Sequence, residues 1–243
     1  EYTHLDPKAN QLHQEIGMLN DLKQGKKILR KTYDHSDGTF KDARFFNPQN
    51  LTIFEGLHPF YLSRQRQLYD LKIFIEPHDD LSLHWKIIRD KNNRGYSKET
   101  ILKNVADRAE DSKIYIESQA KYADILIKPR PKNPIKEIGS IIEKVEIKYD
   151  IFMPNSVYLE NLIEAFEPKE NLSVIQEYLE GDQQKISLSG EISSDDLKDI
   201  SNIFIPGLRD LGIDYPYWLE NAFGALTLLI TYYIFQEAEN GKE

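Results

Sequence analysis

Cysteine is missing from all 243 residues, which excludes disulfides, thiolate metal sites and thiol redox switching within this chain. No charged-then-apolar segment opens the sequence, so secretion has no support and a cytoplasmic setting is expected. The longest uncharged apolar stretch, Ala222 to Phe235, covers 14 residues, short of the ~20 that span a bilayer. Internal repeats and low-complexity tracts are absent. So is the Gly-x-x-x-x-Gly-Lys-Ser/Thr pattern whose backbone N–H groups cradle nucleotide phosphates. Residue 1 is Glu, not Met, and an upstream portion is expected.

What is present is an ordinary globular balance, 40% hydrophobic and 29% charged, with material for one large domain or two small ones. The net charge of −9 is unevenly spread. Residues 1–132 carry 23 Lys/Arg against 19 Asp/Glu, and residues 133–243 carry 8 against 21. All six histidines fall within the first 84 residues. Polar chemistry is therefore expected in the first half. The acidic second half argues against nucleic acid or an anionic membrane as partner.

Asp6-Pro7 has the form of a helix start, acid at the cap and proline at the first helical position. Leu12, Ile16, Leu19 and Leu22 follow at helical spacing, and Gly25 closes that helix. The pattern predicts a tight turn at Asp37-Gly38, a buried strand at 51–54, a short helix near 61–69 and a second strand at 71–75. Asp79-Asp80 opens a helix bearing Leu83, Trp85, Ile87 and Ile88, broken at Asn92-Asn93-Arg94-Gly95, with Trp85 expected in the core. Ser97 caps another helix, and 123–127 reads as a third buried strand. Strands alternating with helices predict an α/β fold on a parallel sheet. Pro129, Pro131 and Pro134 predict a break in regular structure and a domain boundary at 132. Beyond it, strands at 138–149 and 185–188 and helices at 197–205 and 219–235 make an α+β region, 133–243.

The strand ending Phe54-Glu55-Gly56 delivers a carboxylate to the C-terminal edge of a sheet, where ligands of open α/β sheets bind. Lys86, Arg89 and Arg94 lie about thirty residues on, at and near a helix end. A strand-end acid followed by helix-borne cations is the layout of a phosphoryl-transfer site, in which such an acid helps hold magnesium.

The segments Leu5-Asp6-Pro7-Lys8-Ala9-Asn10, Tyr33-Asp34-His35, Glu55-Gly56-Leu57-His58-Pro59, His84-Trp85-Lys86-Ile87-Ile88-Arg89-Asp90, Arg94-Gly95-Tyr96-Ser97, Tyr115-Ile116 and Ala123-Asp124 occur in that order over roughly residues 3–128. Together they resemble the phosphoribulokinase/uridine kinase family, most closely its phosphoribulokinase branch. The resemblance implies a nucleotide-kinase-like (P-loop kinase) core in residues 1–132, with 133–243 appended. It implies ATP and Mg2+ as cofactors and phosphorylation of a sugar hydroxyl, with ribulose 5-phosphate as acceptor. A uridine or other small-molecule kinase is the alternative, and a non-catalytic sugar-phosphate-binding module is a third reading. The family's phosphate loop and general-base aspartate are expected upstream of Glu1.

Residue by residue, the resemblance implies Glu55 as magnesium ligand or nucleophile-positioning acid. Lys86 becomes a catalytic cation that neutralises charge on the transferred group, and Arg89 a catalytic cation on a lid over ATP or clamping the substrate phosphate. Arg94 contacts ATP or the substrate phosphate through its forked guanidinium, and Tyr33, His35 and His58 contact the sugar. Lys8 and Arg108 carry weaker cases. Expected partners are a small-molecule sugar phosphate or nucleoside and a second copy of the chain, as a homodimer joined by sheet edges or by the apolar final helix.

Overall fold

The computed structural model describes residues 2–31, 33–34, 39–142, 144–211 and 217–240. The chain forms two compact units, Glu1–Lys72 with Leu102–Ala123, and Ile73–Ile101 with Asp124–Glu243. They are interleaved in sequence rather than divided at residue 132.

In the first unit, Asp6 accepts the Lys8 N–H through Oδ1 (2.8 Å), but the turn it caps stops at Ala9. Asn10 returns to extended backbone, so the long helix α1 is a separate element, Leu12–Lys23, buried at Leu12 and Leu19. Gly25 follows it at φ 72°. Two short antiparallel ribbons come next, β1 (Ile28–Arg30) with β4 (Arg44–Phe46), and β2 (Tyr33–Asp34) with β3 (Thr39–Phe40). The Asp37-Gly38 turn lies outside the described residues. The predicted helix near 61–69 shrinks to α2, Ser63–Arg66. Residues 109–122 are helical but irregular: α5 (Ala109–Asp111), then a π turn (Ser112–Ile116) and a 3-10 stretch (Glu117–Tyr122).

The expected strand at 51–54 does not form. The segment is irregular and without ladder partners, with Leu51 59% and Ile53 85% exposed. An apolar run becomes a strand only when a neighbour pairs its backbone, and no described segment does.

The second unit holds a five-stranded sheet, order β5-β6-β7-β9-β8, with β5 (Ile73–Ile75), β6 (Ile125–Pro131), β7 (Ile147–Pro154), β8 (Leu172–Leu179) and β9 (Gln183–Gly190). Only β5 and β6 run parallel, so the sheet is mixed and the fold is α/β. Parallel pairing requires a crossover, and that connection begins with α3 (Asp79–Arg94), which packs on β6, and continues into α4 (Lys98–Ala106).

Pro129 and Pro131, expected to stop regular structure, lie within β6. The ladder explains this. The Ile127 and Pro129 carbonyls accept from Glu76 and His78 on the β5 side, while Lys132 donates to Glu146 on the β7 side. Both prolines therefore turn their nitrogens toward the finishing β5 ladder, and the β7 ladder loses no donor. The strand expected at 138–149 starts only at Ile147.

Helices α6 (Glu160–Phe166), α7 (Ser194–Phe204) and α8 (Ala222–Asn240) complete this unit, α8 packing on β7, β9 and α7. Ala225, Leu228 and Leu229 of α8 are fully buried against it. Among the described residues no helix is long and apolar enough to cross a membrane.

Candidate functional site

The cations singled out from sequence are brought together at the C-terminal end of α3. His78 caps the helix start by accepting the Asp80 N–H, and Gly95 ends it in the left-handed region at φ 67°. Positions 86, 90 and 94 recur every fourth residue, so they share one face. There Asp90, buried to 5% side-chain exposure, gathers all three cations. Lys86 Nζ lies 3.6 Å from Oδ2, Arg89 Nε donates to Oδ1 at 2.9 Å, and Arg94 Nη1 lies 3.2 Å from Oδ1.

Burial pushes the Asp90 carboxyl up, but the hydrogen bond and charge of Arg89, with the charges of Lys86 and Arg94, outweigh it and hold the group below the usual aspartate range. Asp90 is thus a fixed anion that lines up cations whose outer surfaces stay open. Side-chain exposure is 26% for Lys86, 52% for Arg89 and 42% for Arg94. Two of these cations are guanidinium groups, whose forked donors suit an incoming anion.

Sequence reasoning quoted Asp90 within a motif but gave it no role. A lone acid at four-residue spacing from two cations was the available signal. Trp85, expected in the core, is 41% exposed, because it lies off the buried line of Leu81, His84 and Ile87.

From the other side, α3 is held by the loop that precedes β7. His84 is buried, and its Nδ1 accepts the Gly139 N–H at 3.0 Å. Gly139 adopts φ +89°, and a Cβ there would come within 2.5 Å of Ile87 Cγ2. Lys98 donates to the Ile138 carbonyl at 3.3 Å.

In the first unit, Glu55 and Gly56 are exposed. The Phe54 ring before them stacks near the Arg30 guanidinium (5.3 Å) and the Tyr69 ring (6.0 Å). His58 after them is 3% exposed, with Nε2 2.7 Å from the Leu5 carbonyl. A carbonyl can only accept, so Nε2 carries the proton and donates. That ring nitrogen is spent within the fold. Tyr33 lies in β2, opposite Phe40, and His35 lies outside the described residues. Lys8 places Nζ 5.1 Å from the Tyr2 ring centre.

Glu55 would be one metal ligand at most. Among the described residues no group of three or more His, Cys, Asp or Glu side chains is placed to hold an ion. With no glycine-rich phosphate loop in the 243 residues, the groups present make up only part of an ATP-magnesium site.

Comparison with known proteins places these elements in a family context. The chain is 33% identical over 145 residues to phosphoribulokinase of Synechocystis, covering 60% of this chain and 44% of that protein. It is 33% identical over 160 residues to the chloroplastic phosphoribulokinase of Spinacia oleracea, covering 65% and 40%. With uridine kinase of Macrococcus caseolyticus it shares 32% over 122 residues, covering 49% and 59%. The chain thus spans under half the length of these phosphoribulokinases. A solved phosphoribulokinase from Rhodobacter spheroides has the same fold, with a TM-score of 0.60 at 21% identity over 86% of this chain and 75% of that one. Residues 1–136, which contain both the α3 cations and the Glu55 segment, match the model of one family. The chain belongs to the Phosphoribulokinase / Uridine kinase family.

Proposed function

We propose that the natural protein carrying this chain is a kinase that transfers the γ-phosphoryl group of ATP, with magnesium, to a primary hydroxyl of ribulose 5-phosphate. The observation that carries this reading is the array of Lys86, Arg89 and Arg94 organised by buried Asp90, inside the region that matches the family. Phosphoryl transfer asks the protein mainly for positioning and for neutralisation of charge on the moving group. Lys86 and Arg89 supply the neutralisation, Arg94 grips a phosphate, and Glu55 supplies one carboxylate toward the metal or the nucleophile. Tyr33, His35 and the loop held by His58 contact the sugar. The better matches to phosphoribulokinases than to uridine kinases support the sugar phosphate as acceptor.

A uridine kinase reading is favoured by one observation, the uridine kinase match over 59% of that protein's length. The region 133–243 serves assembly, as a homodimer. Strand β8 supports this, being an eight-residue sheet edge with Ile175 and Tyr178 more than half exposed; such edges invite pairing.

The test is an assay of the full-length natural protein with ATP and either ribulose 5-phosphate or uridine. Turnover of the first supports the reading, and turnover of uridine alone replaces it with the second. Binding of ribulose 5-phosphate without turnover would leave a sugar-phosphate-binding module. The isolated 243-residue chain should run at least about 10³-fold slower than the full-length protein, because preorganised donors to the phosphates carry effects of that size.

A further inference from the structure

Glu55 is suspended between two anchors. Among the described residues neither Glu55 nor Gly56 makes a hydrogen bond, and no strand pairs with the segment before them. Upstream, the ring of Phe54 is held by Arg30 and Tyr69. Downstream, the backbone is held mainly by two side chains of the same unit, Arg66 close by in sequence and Gln119 far from it. Arg66 Nη1 donates to the carbonyls of Phe60 (2.7 Å) and Tyr61 (3.0 Å), with its guanidinium stacked 3.7 Å from the Tyr122 ring centre. The most buried member of the group is Gln119, at 1% exposure. Its Oε1 accepts the Phe60 N–H at 2.9 Å, and its Nε2 donates to the carbonyls of Leu57 (2.9 Å) and Tyr115 (2.6 Å).

Only a carboxamide supplies two donors and an acceptor at that length. A glutamate keeps the acceptor but sets oxygen against two carbonyls. A methionine fills the space and makes none of the bonds. A buried amide is costly unless it is satisfied, and here every bond it makes to the loop falls just downstream of Glu55.

We propose that Gln119 is a positioning residue: its buried carboxamide fixes the backbone from Leu57 to Phe60 and so sets where Glu55 leaves the chain. Gln119 touches no reacting group in this arrangement and acts through Glu55. The effect on turnover rests on the proposed kinase reading. The effect on the loop does not.

The experiment uses the full-length natural protein and the variants Gln119→Met, Gln119→Glu, Glu55→Ala and Gln119→Met with Glu55→Ala. Hydrogen exchange is read at the Phe60 amide and at α1 amides such as Leu19. In Gln119→Met the Phe60 amide should exchange about tenfold faster, the size of one lost buried hydrogen bond; in Gln119→Glu, which keeps the acceptor, the rise should be smaller, and α1 stays protected in both. In kinase assays Gln119→Met should lower kcat about tenfold in the wild-type background and leave it within about twofold in the Glu55→Ala background, the non-additivity expected of residues acting as one unit. Unchanged Phe60 exchange in Gln119→Met overturns the proposal. So does a uniform rise across the first unit, which would make Gln119 a general stability residue. Full additivity with Glu55→Ala also overturns it, since the loss would then bypass Glu55. If the wild-type protein phosphorylates no acceptor, the kinase reading fails and the exchange arm alone decides Gln119.

Discussion

At the end of α3, a carboxylate and three cations close in sequence organise one another, whereas Glu55 sits in a segment with no ladder and depends on tertiary contacts, the most buried of them from Gln119, 62 residues from Leu57. In the first arrangement the Lys86–Asp90–Arg94 line follows from helical periodicity. Asp90 lies four residues from both Lys86 and Arg94, and any helix through this stretch would bring them together. The second depends on tertiary placement of Gln119, Arg66 and His58. A charge array on a helix should therefore tolerate local damage in proportion to the charge removed. A suspended acid should fail when a remote anchor is cut.

The largest expected effect on the α3 side is on turnover. Lys86→Ala in the full-length protein should lower kcat by about 10²-fold, as loss of one preorganised cation does, with far-UV circular dichroism unchanged. Next comes the support beneath the helix. Gly139→Ala puts a Cβ at φ +89° against Ile87, and should cost about 2–3 kcal/mol from backbone strain and overpacking, measured by urea denaturation.

Asp90→Asn should cost about 1–3 kcal/mol by removing charge-assisted hydrogen bonds to a buried acceptor. The sign with pH is fixed by the direction of its shift. The folded Asp90 pKa is depressed, so its contribution is complete above the unfolded value of about 3.9 and is lost as pH falls through the folded value. The stability gap between wild type and Asp90→Asn should then hold steady from neutral pH down to about 4 and close on further acidification. A gap that widens on acidification would contradict the charge account. Smallest of all, Lys103→Ala should change stability by no more than about 0.5 kcal/mol, because its pair with Asp107 is exposed on both sides.

The same contrast explains what could be read from the sequence. Helix α3, its end at Gly95 and its cations were legible because caps, breakers and four-residue spacing act locally. The apolar run at 51–54 was misread as a strand because composition cannot reveal whether a partner supplies the ladder. Pro129 and Pro131 were misread as a break because their fit depends on which side of β6 their nitrogens face. The Asp6 cap is real but starts only a three-residue turn, since capping chemistry does not fix how far a helix continues. Gln119 gave no signal beyond its place after Tyr115-Ile116-Glu117-Ser118. A buried amide that binds distant backbone has no periodicity. The α/β class was nonetheless readable, though the sheet is mixed, because the one crossover through α3 has the alternating pattern that parallel pairing requires.

The central claim is that the Asp90-organised cations serve phosphoryl transfer. Its most direct test is steady-state phosphorylation of ribulose 5-phosphate by the full-length natural protein, wild type beside Arg89→Ala and Arg89→Lys. The account predicts ATP-dependent formation of ribulose 1,5-bisphosphate, a fall in kcat of about 10²- to 10³-fold for Arg89→Ala, and partial recovery in Arg89→Lys, which restores the charge but not the fork. An active wild type whose kcat is unchanged by Arg89→Ala would contradict it.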